Sequence, residues 1–251
     1  MAATFKERLA DGRPLIGTLI SLPSPEIAEV CADAGFDWLF VDLEHGLLGF
    51  PDAQRIVQTV GGRCPCVIRV PENDPVSISK ALDTGAAGSI FPHIDGAEEA
   101  RAAVRAAKYP PQGTRSVGIA RAQGYGARLM ESLENANREI VLIAQAEHID
   151  AARGIEAIIA EPGIDGVFIG PFDLSGSLGK PGLIADPEVQ AAIKAIRDAC
   201  IKGGVPVGIL ARSAEAAKEF MEQGYRLICV GTETMLLGDI ARRIVRELHA
   251  P

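Results

Sequence analysis

The chain has 251 residues, of which 47% are hydrophobic, and a formal net charge of -8. This length is enough to bury a large core, and the negative charge disfavours nucleic acids and anionic membranes as partners. The five cysteines are scattered and form no CxxC pair, which predicts reduced thiols and a cytoplasmic location. No apolar stretch reaches the length of a membrane span, so we expect a soluble protein.

Eight short apolar runs alternate with amphipathic segments that begin at Pro, Asp or Ser and end at Gly. The runs predict strands, and the segments predict capped helices. In chain order the strand-like runs are LIGTLIS from Leu15, DWLFVDL from Asp37, CVIRV from Cys66, GSIFPHI from Gly88, IVLIAQAE from Ile140, DGVFIG from Asp165, VPVGIL from Val205 and RLICVG from Arg226. They are continuously apolar, which is typical of parallel strands covered on both faces.

The helical segments follow these runs, from SPEIAEVCADAG after the first to LGDIARRIVRELHA, residues 237–250, after the last. Eight β/α units without a linker predict a single-domain (β/α)8 TIM barrel over residues 1–251. An open doubly wound sheet remains the alternative. The longest non-periodic stretch is YPPQGTRSVGIARAQGYG, residues 109–126. Because long loops in compact domains are usually functional, we expect it to form a flap over the barrel mouth.

Polar residues follow several of the strand-like runs at the point where each run ends. They are Asp42, Glu44 and His45 at and just past the end of the second run, Arg69 in the third, Glu147 at the end of the fifth and Asp173 after the sixth. The carboxyl ends of parallel strands converge on one mouth. We therefore expect these side chains to meet there.

Glu147 and Asp173 follow neighbouring strands and offer oxygen ligands of the kind that Mg²⁺ or Mn²⁺ prefers. A cation held by so few protein ligands has positions left for the carboxylate and ketone oxygens of a 2-oxo acid. Alternatively, each carboxylate only caps the helix that follows it.

His45 is a candidate general acid and base, because the ordinary pKa of histidine is near neutral. Asp83, near the end of the third predicted helix, is a candidate to orient its imidazole, although a lone histidine is often purely structural. Arg69 lies in an apolar strand and requires an anionic partner. That partner is either a structural carboxylate or an enolate oxygen of a substrate.

Two other mechanisms lack their sequence signals. No lysine ends a strand-like run, as a Schiff-base enzyme of this fold would require. No GxGxxG opens a helix after a strand, which argues against hydride transfer from a dinucleotide.

Several stretches carry a resemblance to a known family, namely GFDWLFVDLEHG, CVIRVPENDP, FPHIDGAEEARAAVRAAKYPPQGTRS, QAEH and GVFIGPFDLSGSLG. Between about Gly17 and Gly238 the chain resembles the HpcH/HpaI family of metal-dependent class II pyruvate aldolases. The resemblance implies a (β/α)8 barrel whose last helix is exchanged between subunits, usually in a hexamer built as a trimer of dimers. It also implies a divalent cation, Mg²⁺ or Mn²⁺, with Co²⁺ as a further option.

The resemblance also assigns roles to particular residues. These are His45 as acid and base, Asp83 as its dyad partner, Arg69 in substrate binding, Glu147 and Asp173 as metal ligands, Gln145 beside the metal, and the backbone amides of Phe172 and Asp173 on the substrate carboxylate. The sequence departs from the family where it has His148, Phe172 and Ser116. These departures affect the acceptor side and the size of the pocket.

The predicted activity is the reversible cleavage of a 4-hydroxy-2-oxo acid into an aldehyde and pyruvate or hydroxypyruvate, through an enolate that Arg69 stabilises. We expect the flap, through Arg115 and Arg121, and Leu210 at the end of the seventh strand to select the aldehyde. One alternative is a citrate-lyase-like or malyl-CoA-type lyase that binds coenzyme A through Arg115, Arg121 and Arg128. Another is a non-catalytic barrel that binds 2-oxo acids.

Overall fold

Eight parallel strands form a closed barrel in the computed structural model, which describes residues 3–249. Each strand pairs with the next one along the chain, and the eighth pairs with the first. The predicted single-domain (β/α)8 barrel is confirmed, and the open-sheet alternative is wrong.

The strands are β1 Leu15–Ile20, β2 Trp38–Asp42, β3 Cys66–Arg69, β4 Gly88–Phe91, β5 Val141–Ala146, β6 Gly166–Ile169, β7 Val207–Ala211 and β8 Leu227–Thr232. The helices are α1 Phe5–Ala10, α2 Pro25–Asp33, α3 Phe50–Val60, α4 Pro75–Asp83, α5 Ala97–Ala107, α6 Leu129–Glu139, α7 Ile149–Ile159, α8 Pro171–Ser177, α9 Pro187–Gly203, α10 Ala214–Glu222 and α11 Glu233–His249, with a short 3₁₀ turn at Gly124–Gly126.

Side-chain caps fix the starts of several helices, as the sequence pattern indicates. The Asp74 carboxylate accepts hydrogen bonds from the backbone N–H groups of Val76 and Ser77 at the start of α4. Helix α9 ends at Gly204 in the left-handed conformation, which a residue without a Cβ adopts at little cost. The sequence pattern did not predict α1, α6 and α8 as helices. Ala250, at the end of the last predicted helix, lies outside the described residues.

The barrel interior is filled with large side chains near the strand starts. Phe5 of α1 packs against the Trp38 ring, with the ring centroids 6.2 Å apart, and both side chains are buried. A Cβ on Gly17 would lie 2.6 Å from the Trp38 indole, so this glycine makes room for the ring. Helix α1 therefore closes the strand-start end of the barrel, and the opposite end stays open.

The segment 109–126 lies at the closed end, because it connects a helix to the next strand. The Arg121 guanidinium donates to the Thr84 carbonyl, and the Ala122 backbone N–H donates to the Asp83 carbonyl. Asp83 and Thr84 form the C-terminal end of α4. The prediction of a flap over the mouth of its own barrel is therefore wrong.

Helix α11 keeps most of its apolar side chains exposed. Among its residues only Glu233, at its start, is buried, whereas the large apolar residues Leu236, Leu237, Ile240, Ile244, Val245 and Leu248 are exposed. Its own barrel therefore does not cover the apolar face of α11. Within residues 3–249, no helix combines the length and apolar character required to cross a bilayer.

All five cysteines are free and buried, as expected for reduced thiols. Burial raises the pKa of the Cys64 and Cys200 thiols to about 12. A high pKa keeps them as thiols rather than reactive thiolates at neutral pH.

Replacing Phe5 by alanine tests the role of α1 as a structural plug. Phe5→Ala leaves a cavity against Trp38, and we expect it to lower the free energy of unfolding by about 3 kcal/mol. Urea denaturation followed by Trp38 fluorescence measures the change. Val30→Ala, at an exposed position on α2, is the control and should change stability by at most about 0.5 kcal/mol. Equal losses in the two variants would contradict the plug.

Candidate active site at the barrel mouth

A cavity of about 960 Å³ opens at the carboxyl ends of the strands. Its walls include most of the predicted site residues, namely Asp42, His45, Arg69, Gln145, Phe172, Asp173 and Leu210. The barrel thus brings together residues that are far apart in the sequence. Of the other predicted site residues, Glu147 lies beside the cavity rather than in its wall, and Asp83 lies at the other end of the barrel.

Arg69 and Asp42 form a buried, two-pronged ion pair at the base of the cavity. Strand register places Asp42 of β2 directly beside Arg69 of β3. The Arg69 Nε donates to Asp42 Oδ1 over 2.8 Å, and Nη2 donates to Oδ2 over 2.6 Å. Because the planar guanidinium matches the two carboxylate oxygens, this geometry is strong and directional. Asp42 is thus the anionic partner that the sequence requires for Arg69.

The remaining nitrogen of Arg69 points towards other polar groups of the site. Nη1 lies 2.9 Å from Glu44 Oε2 and donates a long hydrogen bond of 3.4 Å to Gln145 Oε1. The guanidinium also lies over the Phe40 ring, with Cζ 5.2 Å from the ring centroid. Arg69 is therefore held on several sides.

Asp42 also shapes the loop that carries His45. Its Oδ1 accepts hydrogen bonds from the backbone N–H groups of Glu44, at 3.0 Å, and His45, at 3.3 Å. The His45 side chain is 66% exposed, and its Nε2 lies 3.9 Å from Glu44 Oε2. The imidazole is thus accessible from the cavity while its backbone is fixed.

Glu147 lies just beyond β5. Its side chain is buried and lies behind the residues that line the cavity. One of its oxygens accepts from the side-chain amide of Gln145, and the other accepts from the backbone N–H of His93 over 2.8 Å. A Cβ on Gly170 would lie 2.8 Å from the Glu147 Cβ. Glycine at position 170 therefore leaves the space that this carboxylate occupies.

His93 lies between two carboxylates, just beyond β4. Its Nε2 is 3.2 Å from Glu44 Oε1, and its Nδ1 is 3.2 Å from Glu147 Oε1. The backbone φ of His93 is 52°, a left-handed conformation that is uncommon outside glycine and is often found at functional sites. Glu44, His93 and Glu147 each offer one ligand atom, and these atoms lie within 4.8 Å of one another.

The electrostatics of this cluster favour a bound cation. Burial raises the pKa of the Glu44 carboxyl above its ordinary value, and the negative charge of Glu147 raises it further, against the opposing effect of Arg69. Glu44 Oε2 is buried and lies outside hydrogen-bond geometry with any partner among the described residues, although it is close to Arg69. A divalent cation would relieve the repulsion between Glu44 and Glu147. The donor set of carboxylate oxygens and one imidazole therefore fits such an ion.

Asp173 and Phe172 lie in the first turn of α8, on the wall of the cavity, and both are exposed. Asp173 is not part of the cluster of Glu44, His93 and Glu147. Its role as a metal ligand stays a prediction. Leu210, on β7, is partly buried against the barrel interior and also reaches the cavity.

Asp83 lies at the opposite end of its own barrel, where α4 ends. Its Oδ1 is 2.5 Å from an Arg115 nitrogen, and Arg115 is buried. Because His45 is at the mouth, one chain does not bring Asp83 and His45 together. The predicted dyad then requires Asp83 from another copy of the chain.

Sequence reasoning missed the position of His93 and the way Asp42 holds Arg69. His93 lies near the end of the fourth strand-like run, GSIFPHI, as the selected residues lie at or near the ends of theirs. This position at a strand end is the sequence signal that indicates His93 as a candidate site residue. Its position between Glu44 and Glu147 joins three separate strand ends, which a single sequence does not specify.

These features define an enzyme-like (β/α)8 barrel with a polar mouth that carries a possible metal-ligand cluster. Residues 16–239 match the HpcH/HpaI aldolase/citrate lyase family. The chain therefore belongs to this family, and it is an enzyme of the lyase class.

Individual relatives agree with this assignment. The 4-hydroxy-2-oxovalerate aldolase of Rhodococcus jostii (strain RHA1) is 41% identical, with 93% of this chain and 91% of the relative covered. The hydroxypyruvate/pyruvate aldolase of Cupriavidus necator is 39% identical, with 98% and 92% covered. The crystal structure of an HpcH/HpaI aldolase/citrate lyase family protein from Burkholderia cenocepacia J2315 superimposes with a TM-score of 0.94 at 36% identity, covering 98% of each chain.

Replacing Arg69 by methionine tests the buried ion pair. Arg69→Met leaves the Asp42 carboxylate buried without its cation, and we expect it to lower the free energy of unfolding by about 3 kcal/mol. Denaturant titration measures the loss. Arg55→Met removes an exposed ion pair with Asp52 and should cost less than about 1 kcal/mol. The ion-pair interpretation fails if both variants lose the same amount.

Proposed function

We propose that the protein is a divalent-metal-dependent aldolase that cleaves 4-hydroxy-2-oxo acids into an aldehyde and pyruvate or hydroxypyruvate, and joins them in reverse. The observation that carries this proposal is the fixed Arg69 guanidinium beside a cluster of carboxylates and an imidazole at the barrel mouth. The names of the relatives are consistent with this activity.

The ion would be held by Glu147, with Glu44 and His93 or with Asp173 as the other protein ligands. We propose Mg²⁺, Mn²⁺ or Co²⁺, because the donor set is mostly carboxylate oxygen with one imidazole. When bound, such a cation supplies a Lewis acid for the 2-oxo acid.

Arg69 is the residue that would stabilise negative charge on the donor. Its Nε and Nη2 are occupied by Asp42, so the guanidinium cannot turn, and it lines the cavity. A fixed positive group stabilises an enolate oxygen as charge develops, without reorganising during the reaction. Gln145 contacts both Arg69 and Glu147, so it would fix the position of these two side chains relative to each other. Backbone amides of Phe172 and Asp173 would bind the carboxylate of the donor.

His45 is the proposed acid and base. In cleavage the imidazole takes the proton of the C4 hydroxyl, and the C3–C4 bond breaks. The electron pair of that bond forms the enolate of the donor, and the aldehyde leaves. The same imidazole then returns a proton to C3, which gives the 2-oxo acid. Asp83 would orient His45 only across a boundary between two copies of the chain.

We further propose that α11 is exchanged between subunits and that the assembly is a hexamer. Support comes from the exposed apolar side chains of α11, such as Ile240, Ile244 and Leu248. A second copy would cover this face. The buried free thiols support a reducing compartment, for which we propose the cytoplasm.

The coenzyme A alternative has little support in the structure. It relies on Arg115 and Arg121 at the mouth, but Arg115 is buried against Asp83 and Arg121 binds the Thr84 carbonyl at the closed end. These arginines are therefore also unsuited to select the aldehyde within one chain. Leu210, which reaches the cavity, remains the proposed limit on the bulk of the aldehyde.

Removal of the metal tests the proposed function. Treatment with EDTA should abolish aldol cleavage, and Mn²⁺, Mg²⁺ or Co²⁺ should restore it. Glu147→Gln should weaken Mn²⁺ binding, measured by calorimetric titration, at least ~10-fold because one anionic ligand is lost. Asp150→Asn, at an exposed carboxylate on α7, should bind Mn²⁺ like the wild type. Full turnover after verified metal removal would refute the metal requirement.

Replacing His45 tests the assignment of the acid and base. His45→Ala should lower kcat for aldol cleavage about 100-fold, while the Mn²⁺ affinity stays within about twofold. The control is His148→Ala, because His148 is a half-exposed helix cap whose Nδ1 accepts from the Asp150 N–H. An unchanged kcat in His45→Ala would transfer the role to another base.

A further inference from the structure

We infer that Arg212 recognises a carboxylate at the far end of the aldehyde acceptor and thereby sets acceptor specificity. The inference rests on the proposed aldolase function and adds to it a residue and a class of acceptor. It replaces the expectation that the arginines of the segment 109–126 perform this role within one chain.

Arg212 lies at the mouth, directly after the last residue of β7. It lines the main cavity together with Leu210 and Phe172. Arg212 follows Leu210 by two residues, and both residues line the cavity. The register pairs Ile169 of β6 with Ile209 of β7, and Phe172 and Arg212 each follow that pair by three residues. Arg212 therefore lies across from the turn that carries Phe172.

A second cavity, of about 480 Å³, adjoins the mouth at the same place. Phe172, Ile184 and Arg212 line both cavities. Arg212 thus stands at the outer edge of the reaction site, where the tail of an acceptor would leave it. Two residues along the chain separate Cα atoms by at most about 7 Å, so an acceptor that reacts near Leu210 needs only a short carbon chain to reach Arg212.

The charge of Arg212 is available, in contrast to the other long cations of the main cavity. Arg69 is occupied by Asp42 and Glu44. Lys194 and Arg197 both pair with Asp198.

Arg212 is exposed, and its side chain makes no ion pair or hydrogen bond with any residue in 3–249. Asp186, which shares the second cavity with it, pairs with Lys180 instead. A guanidinium without a partner presents a planar fork that matches a carboxylate. The acceptor class that fits is a short aldehyde with a terminal carboxylate.

Two aldehydes that differ only in charge test the inference. Succinic semialdehyde carries the terminal carboxylate, and methyl 4-oxobutanoate is its neutral ester. With pyruvate as donor, Arg212→Gln should lower kcat/KM for the acid about 10- to 100-fold, the usual effect of losing a charge-assisted hydrogen bond. The value for the ester should stay within about twofold. Arg212→Lys should retain part of the preference for the acid, since it keeps the charge and loses the fork.

Lys194→Gln is the matched control, because it removes a cation of the same cavity that is already paired. It should leave the ratio of acid to ester unchanged. An equal loss for acid and ester in Arg212→Gln, or an unchanged ratio, would overturn the inference. Decarboxylation of oxaloacetate and exchange of the C3 protons of pyruvate report on the donor half-reaction alone and should persist in Arg212→Gln. Their absence from the wild-type enzyme would instead refute the proposed aldolase function.

Discussion

The buried ion pair between Arg69 and Asp42 is the interaction on which the rest of the mouth depends. Removing two charges from water is costly, and the cost is offset only when the geometry is good and the remaining polar atoms have partners. Here β2 and β3 place the two residues side by side. Asp42 also accepts hydrogen bonds from the backbone N–H groups of Glu44 and His45, and these bonds fix the loop. One pair therefore positions the loop of Glu44 and His45 as well as the Arg69 guanidinium.

The two ends of the barrel have different tasks. The closed end is filled by aromatic rings and covered by α1, and its side chains form a hydrophobic core. The open end gathers charged groups, including a carboxyl whose pKa is raised by burial and by its neighbour, and a residue with an uncommon backbone conformation. Stabilising contacts at one end offset the cost of charge and strain at the other.

The repeating pattern predicted the barrel because its elements are local. The continuous apolar runs and the capping residues each act within about twenty residues, and all eight predicted strands are present. The need of Arg69 for an anion also followed from one strand. The predicted position of segment 109–126 is wrong because loop length does not indicate an end of the barrel, whereas a helix-to-strand connection lies at the strand-start end. His93 was missed because its position between Glu44 and Glu147 depends on distances between elements that one sequence does not specify.

The packed interior of the barrel has a consequence for the order of events in catalysis. Trp38, Phe40 and Phe168 fill the barrel below Arg69, and their rings contact one another. Nothing can pass through the barrel axis, so both substrates enter and leave by a single opening. In the proposed reaction the donor binds at the base of this opening and the acceptor above it. An acceptor that arrives first would block the way, and a donor product cannot leave until the aldehyde has gone. For the proposed aldol reaction this geometry predicts an ordered kinetic sequence, in which the 2-oxo acid is first in and last out.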